Sequence, residues 1–354
     1  MTTTKHSRLA SQLGLELPLV QGPFGGGLST VELTATVSNN GALGSFGAHN
    51  LPGEGIALAI AATRAQTDRP FAINLWVNDH DPGGDDMTPA TFERAWAFYE
   101  PYFKEFGLDR PEPPQHYHPR FDDQIDALLA ARPAVFSFVF GIPSAAILQE
   151  CRRLGILSIG AATTLAEVEA LDAAGVDAIV ASGFEAGGHR PSFLARAEDS
   201  LMGTATLVRL ASTRTSKPII AAGGMADAAG IRAARAAGAD LAQLGTAFVA
   251  CAESGTADVH RDALFSARAQ TTVLTRAYTG RLARGIPSRV IEEFGRRAHE
   301  LPPFPIHGWF VGKLKSAGLA ANIEDFVSLY AGQAAPLLKH RSAAGLIASI
   351  RTEL

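Results

Sequence analysis

The sequence is poor in cysteine. Its 354 residues include only Cys151 and Cys251, which are too few for a disulfide framework or a four-cysteine metal site. Cys151 lies in a helix-like segment and Cys251 has no histidine nearby in the sequence, so neither is predicted to be a thiol nucleophile. The composition therefore excludes a disulfide scaffold and a cysteine-based metal centre.

Long basic runs and long apolar runs are also absent. The sequence has 31 lysines and arginines against 35 aspartates and glutamates, a formal net charge of -4, so we expect no nucleic-acid partner. No apolar run is long enough to span a bilayer. Residues 1–11 are polar and lack the apolar centre of a signal peptide. We therefore expect a soluble cytoplasmic protein with no membrane partner.

Apolar residues in short runs are plentiful. Hydrophobic residues make up 47% of the chain and charged residues 19%, which allows a sizeable core and argues against disorder. The length fits one large domain with an appendage, or two domains.

Short apolar runs alternate with helix-like segments. Stretches such as 165–174 and 226–237 are amphipathic and end at Gly175 and Gly238, the expected stop signal of a helix. Near-continuous apolar runs are typical of parallel strands buried on both faces, and they occur over 17–24, 42–48, 71–77, 134–141, 156–161, 178–182, 218–223 and 241–249. Eight strand-helix units predict an α/β fold of the (β/α)8 TIM barrel type, with an open doubly wound sheet as the alternative.

Two regions interrupt the repeat. Residues 78–132 separate the third and fourth strands and contain a helical stretch near 89–106, and the chain from Cys251 onward is mostly helical. Such additions usually cover the carboxyl-terminal face of a barrel, where the site lies. We expect the barrel to comprise residues 1–254 and about 322–354, with 78–132 as an insertion, and about 255–321 to form a helical lid. Within the insertion, His80, His116 and His118 match no strong zinc spacing, which predicts a solvated loop.

A glycine-rich segment with a histidine follows the sixth predicted strand. Ser182 ends this strand, and Gly187, Gly188 and His189 come shortly after it. Glycine lets the backbone approach a flat ligand, and histidine exchanges a proton near neutral pH. The segment suits the mouth of an active site; the alternative is a glycine-rich loop with a surface histidine.

Further glycines end the first, seventh and eighth predicted strands. Gly223-Gly224 and Gly245-Thr246 follow the last two, where barrels often bind a phosphate through bare backbone N–H groups. Tight turns are the alternative, but two such sites at successive strands favour the phosphate. The first strand ends in Gln21-Gly22-Pro23-Phe24, and Asn74 lies inside the apolar third strand. A buried amide needs partners, which a core hydrogen bond or the polar edge of a cofactor could supply.

Together these motifs resemble the nitronate monooxygenase family, formerly called 2-nitropropane dioxygenases, over residues 18–338. The segment 185–189 is the most specific element, and it is shared with flavin enoyl reductases. Residues 21–24, 71–75, 223–224 and 245–246 resemble the flavin-binding turns and strands of the family. Residues 276–285 and 330–333 are similar to the tail pattern of its class I subgroup.

The resemblance implies an FMN-dependent barrel enzyme that oxidises alkyl nitronates, such as propionate 3-nitronate, and some nitroalkanes. O2 would be the oxidant, and a carbonyl compound and nitrite the products. His189 would accept a proton from a neutral nitroalkane, or hold the anionic nitronate as a cation. Tyr278 and Tyr330 would line the substrate side, or pack a lid helix. FMN would contact Gly22, Pro23, Phe24, Asn74, Ser182, Gly187, Gly188, Gly223, Gly224, Gly245, Thr246 and Gln333.

Other functions stay open at this point. The nearest is a flavin reductase that takes hydride from NAD(P)H for a quinone or an enoyl thioester; a G-x-G-x-x-G fingerprint after the first strand is missing, but barrel enzymes need not use one. A second is a non-catalytic barrel that binds FMN or a sugar phosphate, and a third is a phosphate-binding lyase or isomerase. The composition predicts no oligomeric state.

Overall fold

The fold is known from a computed structural model, which describes residues 8–77 and 87–354. The strands of this part are β1 (Leu19–Gln21), β2 (Gly44–Gly47), β3 (Phe71–Trp76), β4 (Val135–Val139), β5 (Leu157–Ala162), β6 (Ala178–Ser182), β7 (Gly188–His189), β8 (Ile219–Ala222), β9 (Leu241–Leu244), β10 (Val273–Thr275) and β11 (Ala283–Gly285). Eight of them form one parallel sheet in the order β1-β9-β8-β6-β5-β4-β3-β2. The sheet closes between β1 and β2, where Val20 bridges Leu43 in parallel and Gln21 N donates to Leu43 O over 2.9 Å. The predicted (β/α)8 barrel is confirmed.

Helices surround the barrel and cover one of its ends. The outer ring is completed by α14 (Ala343–Glu353), which packs between α2 (Val31–Asn39) and α9 (Ala228–Ala237). Short 3₁₀ turns lie at Ala197–Asp199, Ala267–Gln270, Ala298–Glu300 and Ala335–Leu337. The α-helices are α1 (Arg8–Gln12), α2 (Val31–Asn39), α3 (Gly53–Arg64), α4 (Pro89–Glu105), α5 (Phe121–Ala131), α6 (Ala145–Leu154), α7 (Leu165–Ala174), α8 (Thr204–Arg214), α9 (Ala228–Ala237), α10 (Thr246–Val249), α11 (Asp258–Leu264), α12 (Arg289–Arg296), α13 (Ile306–Ala320) and α14 (Ala343–Glu353). None of the described helices is long and apolar enough to cross a membrane.

Local signals set the bounds of the ring helices. Thr164 caps the start of α7 by accepting a hydrogen bond from the N–H of Glu167, and Gly175 ends the helix with a φ of 78°. Glycine adopts this left-handed conformation without the steric penalty that a Cβ would bring. The helix predicted over 226–237 begins two residues later, because the side chain of Asp227 caps it.

The strand predicted over 241–249 is wrong in its second half. β9 ends at Leu244, and residues 246–249 form the short helix α10. The side chains of Ala247 and Phe248 are buried like those of the strand. A run that is apolar throughout does not show where a buried strand ends and a buried helix begins.

A second hydrophobic core lies above the barrel. It joins α4 of the insertion to α12, α13 and residues 326–330 of the carboxyl-terminal region. Tyr99 of α4 stacks on Phe310 of α13 with ring centroids 4.3 Å apart, and Phe294 of α12 contacts both Phe98 and Tyr99. We call α4, α12, α13 and residues 326–330 the cover. The predicted lid of about 255–321 therefore shares its core with the insertion.

A small antiparallel sheet connects the cover side to the barrel. β11 pairs with β10 on one edge and with β7 on the other. Ala283 lies opposite His189 and Arg284 opposite Gly188, and Gly285 bridges Tyr330. The segment that carries His189 is thus held as a strand rather than as a loose loop.

Candidate active site

A cavity of about 420 Å³ lies between the carboxyl ends of the barrel strands and the cover. This is the end of a parallel barrel where catalytic residues are found. The structure brings most of the predicted site residues together in its lining: Gly22, Pro23, Phe24, Asn74, Ser182, Gly187, Gly188, His189, Gly223, Gly224, Gly245, Thr246, Tyr278 and Tyr330.

Gln333 does not join this group. Its side chain is exposed and does not line the cavity, and its backbone N–H donates to the carbonyl of Glu185 over 2.9 Å. The neighbouring Gly332 N–H donates to Thr246 Oγ1 over 2.9 Å. The segment therefore supports the floor of the site through its backbone.

The floor of the cavity is a cradle of glycines. Gly223 and Gly224 have φ angles of 111° and 72°, which favour glycine. A Cβ on Gly223 would lie 2.9 Å from Ala186 N, and a Cβ on Gly22 would lie 3.1 Å from the Phe24 ring and 3.4 Å from Gly245 Cα. Side chains at these positions would fill the space where the turns after β1, β8 and β9 meet. The cradle therefore fits a ligand with a flat ring and a phosphate, which bare backbone N–H groups can bind.

Three barrel strands carry an amide side chain in their carboxyl-terminal half: Gln21 in β1, Asn74 in β3 and Gln243 in β9. Asn74 Nδ2 donates to Ser137 Oγ over 3.0 Å and also lines the cavity, so both predicted roles remain open to it. Gln21 Nε2 donates to the carbonyls of Ser45 and Gly22 and fixes the first turn. Gln243 of β9 also lines the cavity. Sequence reasoning missed Gln243, although a polar residue in an apolar strand is the same signal that identified Asn74.

His189 faces the cavity beside aromatic rings. Its Nε2 forms a 2.7 Å hydrogen bond with Thr279 Oγ1, and its ring centroid lies 5.0 Å from that of Trp76 and 5.5 Å from that of Tyr330. Burial, and secondarily the charge of Arg281, lowers the pKa of His189 to about 3. The imidazole is therefore neutral at pH 7. The alternative interpretation of His189 as a surface histidine does not agree with its position at the cavity.

The wall next to His189 is a stack that the sequence did not predict. His49 lies on Trp76 with ring centroids 3.8 Å apart and an interplanar angle of 7°, and His118 lies beyond His49 at 5.9 Å. The Arg281 guanidinium lies 3.6 Å from the centroid of Phe140. These residues are far apart in sequence and share no period, so no sequence pattern marks them.

The prediction of a solvated loop is wrong for His118, because its side chain packs in this stack and lines the cavity. His116 is exposed, and His80 lies outside the described residues. In the described ranges no group of three or more histidine, cysteine, aspartate or glutamate side chains is placed to hold a metal ion.

Tyr278 and Tyr330 line the cavity on the side of the cover, and the Tyr330 ring lies next to His189. Their rings meet edge to face with centroids 5.0 Å apart. The Tyr278 hydroxyl accepts from Leu329 N over 3.2 Å, so this residue both packs the cover and lines the cavity. Burial raises the pKa of Tyr278 to about 12 and that of Tyr330 as well, so both phenols are neutral at pH 7.

The fold and the site together define a barrel enzyme. The parallel barrel is closed, and its carboxyl end has glycine turns, a neutral histidine and a covered cavity. The family model for nitronate monooxygenase matches residues 6–353. The chain belongs to the nitronate monooxygenase family and is an oxidoreductase.

Individual relatives agree with this assignment. The chain is 40% identical to a nitronate monooxygenase of Pseudomonas aeruginosa over 99% of both sequences. It is also 40% identical to a nitronate monooxygenase of Paraburkholderia phytofirmans, over 99% of this chain and 96% of that protein. The solved structure of nitroalkane oxidase from Streptomyces ansochromogenes superposes with a TM-score of 0.89 at 32% identity, covering 98% of each chain.

Proposed function

We propose that the protein oxidises alkyl nitronates with O2 to a carbonyl compound and nitrite. The observation that carries the proposal is the neutral His189, held by Thr279 at a covered cavity whose floor is bare glycine backbone. Family membership supports the substrate class, because two relatives are named nitronate monooxygenase.

FMN is the proposed cofactor, and it would supply the redox chemistry. Its phosphate would be held by backbone N–H groups of Gly223, Gly224, Gly245 and Thr246, where Cβ atoms are absent or the turn is tight. The ring would lie at the barrel mouth against the remaining lining residues of the cradle, which are Gly22, Pro23, Phe24, Asn74, Ser182, Gly187 and Gly188. Gln333 is not part of this proposal because its exposed side chain lies outside the cavity.

The protonation state of His189 decides between its two predicted roles, holding a nitronate as a cation and accepting a proton. A histidine with a pKa of about 3 does not carry the positive charge that would hold an anionic nitronate at pH 7. It can accept a proton or a hydrogen bond, but a base with so low a pKa removes a proton from a neutral nitroalkane only weakly. The site is therefore better suited to a nitronate that is already ionised, with the imidazole oriented by Thr279.

The test is oxygen uptake by the purified yellow protein with propionate 3-nitronate, with NADH as a parallel electron donor. We expect rapid uptake and nitrite release with the nitronate and no reaction with NADH. Flavin bleaching by NADH without oxygen, together with silence toward nitronates, would instead identify a reductase. If flavin binds but neither compound changes its absorption spectrum, the protein is a non-catalytic barrel. A colourless purified protein would contradict the proposal that FMN is the cofactor.

A further inference from the structure

His49 is a buried imidazole in the wall of the cavity. It follows β2, lines the cavity and is only 5% exposed. Its backbone carbonyl accepts a hydrogen bond from Nε2 of the buried Gln124 over 2.7 Å, which fixes the turn that carries it. Its ring lies flat on Trp76 with the centroids 3.8 Å apart. Packing and the backbone therefore hold this side chain, and its ring nitrogens are not needed for that purpose.

The turn after β1 leaves room for this ring. A Cβ on Gly25 would lie 1.8 Å from Cε1 of His49, and 2.7 and 2.8 Å from its two nitrogens. Gly25 is not among the glycines with positive φ, so the backbone conformation does not require glycine there. The glycine is required because any larger side chain would displace the imidazole. The two residues are thus built as a pair that places His49 at the cavity.

The ring nitrogens of His49 have no hydrogen-bond partner in the described part of the chain. They are also not enclosed by packed atoms, as a buried unpaired nitrogen in the core would be. Because the residue lines the cavity, the nitrogens open toward that space. A polar group that is removed from water is costly unless it finds a partner. A bound ligand can supply that partner here.

His49 is neutral at pH 7. Burial lowers its pKa well below the ordinary value, and electrostatic interactions with His118, His189 and Arg281 lower it further. A neutral imidazole offers one N–H donor and one acceptor nitrogen. The donor can bind an anionic oxygen without placing a further positive charge beside Arg281, whose guanidinium lies 5.1 Å from the Trp76 centroid.

Trp76 holds His49 and His189 at the same end of the cavity. His49 stacks on the face of the indole, and the His189 ring meets the indole at 74° with centroids 5.0 Å apart. Trp76 also contacts Phe304, two residues before α13, with centroids 5.6 Å apart. Two neutral imidazoles therefore flank one indole in a wall that reaches the segment leading into the cover.

We propose that His49 is a second substrate-binding residue, which donates a hydrogen bond from its imidazole to an oxygen of the nitronate group beside His189. A nitronate spreads its negative charge over two oxygens of a planar group, and hydrogen bonds to a charged acceptor are among the strong ones. This bond would also fix the orientation of the group that reacts. The inference rests on the proposed function, because it assigns a further residue to the same substrate.

The first test uses nitrate, a planar anion that resembles the nitronate group and is not oxidised. It is titrated by calorimetry into the full-length flavin-loaded protein at pH 7. His49→Phe keeps a ring on Trp76 but loses both nitrogens, so it should bind nitrate about tenfold more weakly, the loss expected for one hydrogen bond to a charged group. His49→Gln keeps an N–H donor and should stay within about threefold of the wild type. The exposed His299→Phe is the control and should match the wild type.

A second measurement needs no substitution at the site. In wild type labelled with 15N-histidine, nitrate should shift the ring-nitrogen resonances of His49, which His49→Gln identifies by their loss. The resonances of His307 should stay in place, because its nitrogens are bonded to Tyr99 and to the carbonyl of Ala277. His49 resonances that nitrate does not move would overturn the inference, even if His49→Phe fails to fold.

Kinetics separate this inference from the proposed function. His49→Phe should raise KM for propionate 3-nitronate about tenfold and keep kcat within about threefold, because the bond is present before and during the reaction. Flavin affinity should not change. If no nitronate is oxidised but nitrate binds more weakly to His49→Phe, the oxidation proposal fails and the anion site stands. Equal nitrate affinity in wild type and His49→Phe would overturn the inference. So would a loss of flavin affinity alone, since His49 would then contact the cofactor.

Discussion

His189 owes its neutral state to its position rather than to the imidazole itself. A solvent-exposed histidine would gain a proton near pH 6.5, but here burial and the neighbouring Arg281 delay protonation to about pH 3. The sequence motif identified the residue, since glycines and a histidine at the end of a strand are typical of a barrel mouth. It could not identify the charge state, because Arg281 is distant in sequence and His49, Trp76 and His118 share no period.

The pH dependence of turnover follows from this shift. For preformed nitronate, kcat/KM should show no fall near pH 6.5 that depends on His189, since the residue stays neutral until the pH approaches 3. The measurement is a rate profile from pH 5 to 8 with nitronate mixed in rapidly before it can reprotonate. A fall near pH 6.5 in the wild type that is missing in His189→Asn would contradict the assigned neutral state.

Replacing His189 should affect neutral nitroalkanes and their nitronates to different extents. His189→Asn should lower turnover of neutral nitroethane by about 10- to 100-fold, at or below the lower end of what a general base contributes. A base with a pKa of about 3 removes the proton only weakly, and asparagine cannot accept it at all. Turnover of ethyl nitronate should fall by less than about tenfold, since that substrate has already lost its proton. Steady-state kinetics on both forms provides the check, and equal losses on the two would exclude the base role.

At the scale of elements, strand and helix signals predicted the barrel well. Apolar runs marked all eight strands, and Gly175 and Gly238 marked helix ends. The run over 241–249 failed because α10 is as buried as β9. The strands β7, β10 and β11 were not predicted, because each has only two or three residues. The sequence also did not show that Lys315 of α13 lines the cavity, because a lysine in an amphipathic segment is typical of a solvated face.

The glycine turns offer a test with an internal control. Gly224→Ala places a Cβ at a φ of 72°, which costs about 1–2 kcal/mol, and it should also weaken flavin binding at the cradle. Gly295→Ala in α12 adds a Cβ that meets no atom within 4 Å, and it should raise stability by up to about 1 kcal/mol. Thermal unfolding and flavin release measure the two effects. A Gly224→Ala variant that keeps wild-type flavin affinity would show that this turn does not contact the cofactor.

For the molecule as a whole, buried neutral histidines make stability depend on pH. Burial lowers the pKa of His260 and His307 to about 4, whereas an unfolded histidine titrates near 6.5. Between these values the unfolded chain binds protons that the folded chain does not, so stability is fully present above pH 6.5 and is lost as the pH falls toward 4. Each such histidine contributes a slope of up to about 1.4 kcal/mol per pH unit.

This slope can be measured. Denaturant unfolding at pH 7 and pH 5 should show a clear loss of stability at pH 5, a range that carboxylates scarcely affect. His307→Gln is expected to be less stable at pH 7, because the contacts of His307 with Tyr99 and Ala277 are altered, but to lose less between pH 7 and pH 5. His299 is exposed, so His299→Gln is the control and should lose as much stability between pH 7 and pH 5 as the wild type. An unchanged loss in His307→Gln would show that this residue does not titrate as described.

The pairing of β7 with β11 has a consequence for exchanging parts between relatives. His189 of β7 lies opposite Ala283 of β11, and Gly285 of β11 bridges Tyr330 of the cover. The proposed catalytic residue is therefore connected through β11 to the region that covers it. A hybrid that takes its cover from one family member and its barrel from another would join two mismatched halves of a three-stranded sheet. The natural unit of exchange is therefore discontinuous: the strand bearing His189 has to be transplanted together with β10, β11 and the cover.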